Sequence, residues 1–447
     1  MTDIRSPLVR AGVLEPGGRW RNWGRSESSR PRVVARAHDV EEVAETIAFA
    51  RDEGLTVKPI GAGHSFTAIG ATDGVQLDIS AIDGVLNVDG TLVTLGAGTN
   101  LYQLPSLLEP HGLALTNMGD IDRQTIAGAT STGTHGTGAA FGGLATQLRG
   151  VTLVTASGEI LTVSAEQNPE LLPAAVLGLG ALGVLVDVTV ECVPAFVLSA
   201  VEKPEPIGTV LAEWSERIAE SDHFEFYVWP HTDTVLTKTN TRLPIDAERN
   251  PLGGFQRWFD DDFMANGVYR ATLNLGRAIP PVIPPLNRLS VRLTGDRRFT
   301  DVSTEVFTTS RTVRFREMEY ALPVEVIPEA VERIRRLIDE KGWRISFPIE
   351  VRASAPDDLW LSTASGRATG YIAVHRYFRE DPTEYFTAIE AIFREYDGRP
   401  HWGKMHTRAA EDLAPTYPRF GDFVALRDRL DPDRVFANPY LDRVLGA

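Results

Sequence analysis

Two glycine-rich segments contain residues that could bind a phosphate-bearing cofactor. The first is Ile60-Gly-Ala-Gly-His-Ser-Phe-Thr67, which follows a short β-branched run, and the second is residues 117–138, NMGDIDRQTIAGATSTGTHGTG. Glycines let backbone N–H groups approach a phosphate closely, and the Ser and Thr hydroxyls of the second segment add further donors. The first segment is not a GxGxxG fingerprint, because the third glycine is missing and no helix follows directly. Taken alone, it is equally compatible with a tight turn in which His64 bonds to the backbone.

Charged groups recur in three strand-like segments of the second half. In SFPIEVR, strand alternation places Pro348, Glu350 and Arg352 on one face. The segments YIAVHRY and HWGKMH add His375 and Lys404. The apolar residues of SFPIEVR would anchor the strand and leave a carboxylate–guanidinium pair facing a cavity. Each residue alone also fits a structural role, such as a sheet salt bridge, a core histidine or a surface lysine.

The elements that must position these residues follow from periodicity and turn signals. Residues 40–54 have apolar side chains at helical spacing after Asp39, a good N-cap, and Gly54 ends this predicted helix. Ser157-Gly158 lies between two β-branched runs and predicts a tight hairpin turn. Residues 312–406 predict the order β-α-β-β-α-β, with RPHWGKMH as the last strand. The predicted fold class is therefore α+β.

Two further segments allow predictions of local structure and of packing. The stretch from Asn250 to Leu289, rich in proline and aromatic residues, is expected to be largely helical or irregular. The C-terminal sequence LDPDRVFANPYLDRVLG is too short to form a core of its own, so we expect it to pack on the first domain.

Composition limits the classes of function. The 447 residues carry a formal net charge of −15, which argues against nucleic-acid binding. Cys192 is the only cysteine, so neither an internal disulfide nor a cysteine-based metal site can form, and no histidine spacing suggests a metal. The most apolar stretch, Leu171 to Val186, is shorter than the roughly 20 residues of a bilayer span, and no secretory signal is evident at the N-terminus. We expect a cytoplasmic protein, and a peripheral membrane contact stays open.

The motifs resemble those of a known flavoprotein family. GAGHSFT, NMGD and TIAGATSTGTHGTG, in this order, resemble the vanillyl-alcohol-oxidase (PCMH) type of FAD-binding domain, and Leu179–Leu185 resembles its closing flavin loop. FPIEVR, VHRY, RPHWGKMH and the C-terminal DPDRVFANPYLDRVLG resemble the sugar-1,4-lactone oxidases and dehydrogenases. The resemblance runs from Trp20 almost to the C-terminus and is weakest between about 200 and 310. It implies a two-subdomain FAD-binding domain over residues 1–195, a βαββαβ-containing cap over 196–405 and a returning segment over 406–447.

The resemblance also implies a cofactor and its ligands. The histidine at the position of His64 carries FAD covalently, through the flavin 8α-methyl, in members of this family. No metal is implied. The residues expected to bind FAD are Ile60, Gly61, Ala62, Gly63, His64, Ser65, Asn117, Gly119, Asp120, Thr125, Gly128, Ala129, Thr132, Gly133, His135, Gly136, Gly183 and Val184.

The implied activity is oxidation of L-gulono-, L-galactono- or D-arabinono-1,4-lactone, by hydride transfer from a carbinol carbon to flavin N5. Arg352 and Lys404 would stabilise the alkoxide and the flavin, Glu350 would orient the substrate and Arg352, and His375 would be a hydrogen-bond partner and candidate base. Electrons would pass to O₂, a cytochrome or a quinone. The nearest alternative is an alditol oxidase acting on xylitol or sorbitol. A flavin-binding electron carrier and a double-bond reductase are more distant alternatives.

Overall fold

Two sheets form the amino-terminal part of the chain. The structure is a computed structural model that describes residues 12–254, 267–309 and 311–447. The strands of this part are β1 (Leu14–Pro16), β2 (Trp20–Arg21), β3 (Ser28–Ser29), β4 (Val33–Arg36), β5 (Val57–Ile60), β6 (Val75–Asp78), β7 (Val85–Asp89), β8 (Leu92–Gly96), β9 (Leu113–Ala114), β10 (Leu148–Val154), β11 (Ile160–Ser164), β12 (Val184–Glu191) and β13 (Val193–Pro194). A four-stranded sheet has the order β1-β4-β6-β5, and an antiparallel five-stranded sheet has the order β11-β10-β12-β8-β7.

Local signals predicted the first helix and the hairpin of this part correctly. The helix α1 (Val40–Asp52) begins after Asp39, whose side chain accepts a hydrogen bond from the backbone N–H of Glu42. Gly158, with a φ of +87°, makes the turn between β10 and β11. The glycine-rich segment 117–143 is less irregular than expected, because it contains a short helix. The other helices here are α2 (Leu104–Leu108), α3 (Ile126–Ser131) and α4 (Leu172–Ala175).

An eight-stranded antiparallel sheet forms the centre of the second part. Its order is β17-β14-β16-β15-β19-β20-β18-β21. These strands are β14 (Phe196–Pro206), β15 (His223–Val228), β16 (Thr234–Pro244), β17 (Arg297–Val302), β18 (Phe315–Pro323), β19 (Ile349–Ser354), β20 (Thr369–Tyr377) and β21 (Arg399–Pro400). The strand and helix order from β18 to β21 confirms the predicted βαββαβ pattern. However, β19 begins only at Ile349, and β21 ends at Pro400, so no residue of HWGKMH belongs to a strand.

The helices of the second part cover one face of this sheet and extend the chain to its end. α10 and α11 pack on that face through buried aliphatic and aromatic side chains such as Ile334 and Phe393. The helices are α5 (Ile207–Ala212), α6 (Trp214–Glu220), α7 (Tyr269–Ala278), α8 (Ile283–Leu293), α9 (Ser303–Phe307), α10 (Ile327–Glu340), α11 (Thr383–Glu395), α12 (Ala410–Leu413), α13 (Phe420–Leu430) and α14 (Pro439–Leu445). Of the stretch 250–289, residues 255–266 lie outside the described part, and α7 and much of α8 occupy the remainder.

The two faces of the eight-stranded sheet differ sharply in chemistry. On one face, alternate residues of the strands, such as Phe226, Val351 and Ile372, point to the helices and are almost fully buried in an apolar core. The opposite face carries titratable side chains that are also buried, although none of them belongs to that core. They are Glu225, Glu317, Glu319, Glu350, Arg352, Tyr371 and His375, and the half-buried Tyr227 lies on the same face. Since burying charge is costly unless it is paired, this second face is expected to be a functional site.

The C-terminal segment packs against the amino-terminal part. Val57 N–H donates to the Val435 carbonyl at 2.7 Å. The amide of Asn438 donates to the carbonyls of Ala68, Ile69 and Ala71. Buried side chains of α14 belong to the same hydrophobic core as those of residues 13–198. The end of the chain therefore closes the edge of β5, next to the first glycine-rich segment.

Candidate functional site

A cavity lies where β5 runs into the first glycine-rich segment. It encloses about 930 Å³ of free space, counting its open mouth, and is bounded by residues 58–70, by α3 and by the 179–185 turn. Ten of the predicted cofactor residues line the cavity: Ile60, Gly61, Ala62, Gly63, His64, Ser65, Thr125, Gly128, Thr132 and Gly183.

The first glycine-rich segment presents unused backbone donors to this cavity. Within the described residues, the N–H groups of residues 61–65 have no hydrogen-bond acceptor. A side chain at Gly61 would come within 2.4 Å of the Thr125 hydroxyl, and Gly63 has a φ of +68° that favours glycine. Consecutive free amides, in a loop whose two glycine positions disfavour a side chain, form a concave anion site, and this arrangement fits the diphosphate of FAD.

His64 stands at the edge of the cavity in a position that keeps its ring neutral. Its imidazole stacks on Trp23, with ring centroids 5.3 Å apart. Burial, together with the positive charges of Lys404 and Arg123, lowers the pKa of His64 to about 4. A neutral imidazole has the free lone pair that bonding to an electrophilic carbon requires.

Lys58 is a cavity residue that the sequence reasoning missed. It is completely buried, and burial lowers its pKa to about 7 despite the nearby carboxylates of Asp431 and Asp442. Its ammonium donates to the Phe436 carbonyl at 3.0 Å and to the Gly180 carbonyl at 3.4 Å. Lysines alternate with apolar residues in many strands, so VKPI alone gave no signal that this one points inward.

The remaining predicted cofactor residues do not line the cavity. Ala129 and Val184 are fully buried in the hydrophobic core, where only their backbones can serve a ligand. Asn117 bonds to the Thr137 carbonyl and holds its own loop. Asp120 and His135 lie instead at the charged sheet face, described below. Gly119, Gly133 and Gly136 pack closely against neighbouring backbone or side chains.

Arg352 is the centre of the first charged cluster on the sheet. Its guanidinium donates to Glu319 at 2.8 Å and lies 3.4 Å from Glu350. Burial opposes the ionisation of Glu319, but Arg352 and His135 hold the pKa of this carboxyl well below its usual range. Tyr227 donates to Glu350 at 3.2 Å from the neighbouring strand. The predicted pair of Glu350 and Arg352 is thus part of a larger buried network.

His135 connects the second glycine-rich segment to this cluster. Its Nδ1 lies 2.9 Å from the Gly136 carbonyl, its Nε2 lies 3.3 Å from Glu319, and its ring stacks on Tyr371 at 3.6 Å. Glu319, His135 and His401 come close enough to hold a metal ion. However, Nδ1 of His401 accepts from the Gly403 N–H, which leaves the proton on Nε2, and Arg352 already pairs with Glu319. This donor set fits a hydrogen-bonded network better than a metal site.

Glu317 joins the other two predicted catalytic residues. The Lys404 ammonium forms a short ion pair with one oxygen of Glu317, and His375 Nε2 lies 3.7 Å from the other. His375 Nδ1 lies 3.1 Å from the Pro348 carbonyl, so it carries the proton, and Nε2 is left with a free lone pair. Lys404 also lies over the Phe66 ring, at 5.3 Å. These contacts bring the cap residues to the end of the first glycine-rich segment.

A third group of charges closes the far side of the site. Arg311 forms a 2.6 Å ion pair with Asp120. Burial opposes the ionisation of Asp120, but the charges of Arg311 and Arg352 lower its pKa. Glu225 on β15 lies 3.8 Å from the ammonium of Lys238 on β16, and burial raises the pKa of Glu225.

Sequence reasoning identified the row of site residues on β19, Glu350 and Arg352, and missed the row on β18, Glu317 and Glu319. FREMEYAL alternates charged Glu317 and Glu319 with apolar residues, which is the same signal that identified Glu350 and Arg352. β20 pairs with both β18 and β19, so the two rows lie on either side of β20, and Arg352 reaches across it to Glu319.

Comparison with known proteins defines the class. The sequence family described as "FAD binding domain" matches residues 31–164. The solved structure of cholesterol oxidase from Brevibacterium sterolicum superposes with a TM-score of 0.83, at 19% identity, over 100% of this chain and 99% of that one. The protein is an FAD-dependent oxidoreductase, and the predicted α+β architecture of an FAD-binding domain with a cap is confirmed.

The particular family follows from the second half of the chain. The family described as "D-arabinono-1,4-lactone oxidase" matches residues 188–444. L-gulono-1,4-lactone dehydrogenase of Mycobacterium tuberculosis is 44% identical over 96% of this chain and 99% of the relative. L-gulonolactone oxidase of Bos taurus is 33% identical over 96% and 98%. An alditol oxidase from a Streptomyces species is 30% identical over 95% and 98%. The chain belongs to the aldonolactone oxidase and dehydrogenase family.

Proposed function

We propose that this protein oxidises a sugar-1,4-lactone of the L-gulono-, L-galactono- or D-arabinono- type at a carbinol carbon. The observation that carries the proposal is the buried charged face of the cap sheet, whose Lys404 lies over Phe66 at the end of the first glycine-rich segment, next to the cavity residues Ser65 and Thr67. The names of the relatives at 44% and 33% identity agree in the substrate class. An alditol oxidase is a more distant relative, and alditols therefore belong in the test.

The amino-terminal cavity would hold FAD, which when bound accepts a hydride at N5. The free amides of residues 61–65 would bind its diphosphate, with Thr125 and Gly128 on the opposite wall. We propose that His64 forms the covalent 8α-histidyl link, since its ring is neutral and stands at the cavity edge. Such a link prevents loss of the cofactor between turnovers.

His375 is the group that we assign to remove the hydroxyl proton. Its Nε2 is an acceptor, because Nδ1 faces the Pro348 carbonyl. The imidazolium that forms would lie 3.7 Å from the Glu317 carboxylate, which would stabilise it. A carboxylate that orients and stabilises a catalytic histidine is a recurring arrangement for general bases.

Arg352 and Lys404 are assigned to stabilise the alkoxide oxygen as its charge develops. Both cations are fixed before substrate arrives, Arg352 by Glu319 and Lys404 by Glu317. Preorganised charges in a buried site need no rearrangement during the reaction, which makes them effective. Glu350 would orient Arg352 and accept a hydrogen bond from a substrate hydroxyl.

The electron acceptor is O₂, a cytochrome or a quinone in this proposal, and the enzyme makes a peripheral membrane contact. Within the described ranges, no helix has both the length and the apolar character that crossing a bilayer requires.

A substrate panel tests the proposed function. The purified holoenzyme is mixed anaerobically with the three lactones, with xylitol and with sorbitol, and bleaching of the flavin absorbance is followed. We expect fast reduction by at least one lactone and slow reduction by the alditols. Rapid reduction by an alditol and none by any lactone would instead assign the protein to the alditol oxidases. Reoxidation by O₂, cytochrome c and a soluble quinone then ranks the acceptors.

A further inference from the structure

The helices α7 and α8 form a hairpin on the cap domain whose inner side is firmly held. Leu273 of α7 and Ile283 of α8 are buried. The Tyr269 hydroxyl donates to the Ser346 carbonyl at 3.0 Å. The Asn287 amide donates to the carbonyls of Pro230 and Ile345, both at 2.9 Å. The hairpin, residues 267–294, is therefore an ordered part of the cap with one side turned away from it.

The outer side of this hairpin is unusually apolar. Leu275, Ile279, Leu289 and Leu293 are 44%, 50%, 50% and 65% exposed. These are four of the eight large hydrophobic residues that are exposed in the described chain, and they fall within 28 residues. Leu289 and Leu293 stand four positions apart on α8 and form a stripe on this helix, while Leu275 lies on α7 and Ile279 follows directly after its last residue. Such a concentration marks an interaction surface.

The charge of the hairpin is opposite to that of the whole protein. Residues 267–294 contain Arg270, Arg277, Arg288 and Arg292 and no acidic residue, in a chain of net charge −15. All four arginines are exposed. Arg270 bonds to Thr312, whereas no described carboxylate lies within salt-bridge distance of the other three. These arginines are available to an anionic partner.

We infer that the outer side of this hairpin docks on an anionic lipid bilayer. Short helices with an aliphatic stripe and arginines at its border lie in the bilayer interface, where the aliphatic groups enter the acyl boundary and the guanidinium groups bind lipid phosphates. With ten and eleven residues, α7 and α8 are too short to span a membrane. Protein interfaces are rich in aromatic side chains and methionine, but the exposed apolar residues here are all leucine or isoleucine.

This inference rests on the peripheral membrane contact proposed above and locates that contact on a surface next to the catalytic site. Leu273 packs in one cluster with Phe315 and Phe347. These two rings contact His375, with centroids at 5.1 Å and 6.1 Å. The bilayer would therefore face the His375 side of the charged site.

Vesicle cosedimentation of the full-length holoenzyme tests the inference. Vesicles of phosphatidylcholine alone are compared with vesicles that also contain phosphatidylglycerol, at low and at high salt. We expect binding to the anionic vesicles, little binding to the neutral ones and loss of binding at high salt. The double variants Leu289→Ser/Leu293→Ser and Arg288→Gln/Arg292→Gln should each weaken binding at least tenfold.

A matched control uses two other exposed residues. Leu86 and Ile160 are 57% and 49% exposed but lie in the amino-terminal part. The double variant Leu86→Ser/Ile160→Ser should bind anionic vesicles like the wild type. The inference would be overturned if the wild-type protein did not bind anionic vesicles, or if the hairpin variants bound them as tightly as the wild type.

Two further measurements distinguish a membrane surface from a dimer interface and from a part of the catalytic machinery. Sedimentation velocity reports whether Leu289→Ser/Leu293→Ser abolishes self-association; a dimer lost in this variant, without vesicle binding by the wild type, would assign the surface to a second copy instead. Anaerobic flavin reduction by the best substrate should be unchanged in every hairpin variant. The membrane inference and the proposed lactone oxidation can therefore fail independently.

Discussion

Replacing Arg352 by lysine keeps one positive charge and removes the planar fork. In the structure the guanidinium reaches Glu319 at 2.8 Å with one nitrogen and lies 3.4 Å from Glu350 with another. A lysine ammonium at the end of a flexible chain can bond to one of these carboxylates but cannot hold both in place. The second carboxylate would then remain buried without its cation.

The size of the effect follows from this lost contact. A hydrogen bond to a charged group contributes about 1.5–3 kcal/mol. If that energy stabilises the transition state, flavin reduction should slow about ten- to 150-fold. Substrate affinity should change less than the reduction rate, because the alkoxide charge exists only after the proton leaves.

Anaerobic stopped-flow reduction across a range of substrate concentrations gives the limiting rate and the affinity separately. Arg399 offers a matched control, because it is also a buried cap arginine, yet it bonds only to the carbonyls of Thr363, Ser365 and Thr416. Arg399→Lys should lower the unfolding temperature and leave the reduction rate unchanged. If Arg352→Lys reduces flavin at the wild-type rate, the network around Arg352 is structural and the assigned role is wrong.

The other predictions concern the flavin link, the second cation and two titrating groups. His64→Ala should release flavin into the supernatant on acid precipitation, whereas wild-type flavin stays with the pellet; flavin retained in the variant's pellet would place the link elsewhere. Lys404→Ala should slow reduction by roughly tenfold or more, about 1.4 kcal/mol of barrier, and an unchanged rate would remove it from the mechanism. Glu317→Gln should lower the maximal reduction rate, because the imidazolium of His375 loses the carboxylate that lies 3.7 Å from its Nε2; an unchanged maximal rate would contradict this arrangement. Burial lowers the pKa of His223 to about 4. Below pH 6.5 the unfolded chain binds a proton that the folded chain excludes, so this group alone should cost about 2 kcal/mol of stability between pH 7 and pH 5. Urea unfolding at both pH values measures the loss, and His223→Gln should lose less than the wild type.

Strand alternation predicted the facing of Glu350 and Arg352 because it depends on local geometry alone. Within β19 their side chains point to one face, while Ile349 and Val351 point to the apolar core. Strand alternation alone could not show that Glu317 and Glu319 belong to the same site. They lie on a different strand, β18, and the pairing of strands is decided by contacts between residues distant in sequence. Charge networks that cross strands become visible only when the sheet order is known.

The segment HWGKMH shows a different limit. Its alternation suggested a strand, but the Lys404 N–H donates to the His401 carbonyl and makes a turn. The Gly403 carbonyl accepts from the Phe66 N–H at 2.6 Å, so the turn contacts the first glycine-rich loop, while the N–H groups of His401 and Met405 on either side of it donate to carbonyls of β18. This turn places Lys404 in the site. Periodicity along one segment could not predict it, because the turn depends on contact with a loop more than 300 residues earlier in the chain.

The hydrogen bond from Lys58 to the Phe436 carbonyl has a consequence for biosynthesis. The wall of the FAD cavity at Lys58 is completed by Phe436, which lies 378 positions later in the chain. Until residues 435–436 are synthesised, the Lys58 ammonium lacks its carbonyl partner, and the edge of β5 lacks its contact with Val435. Cofactor loading should therefore follow the synthesis of this segment, and a nascent chain stalled before Val435 should not retain flavin.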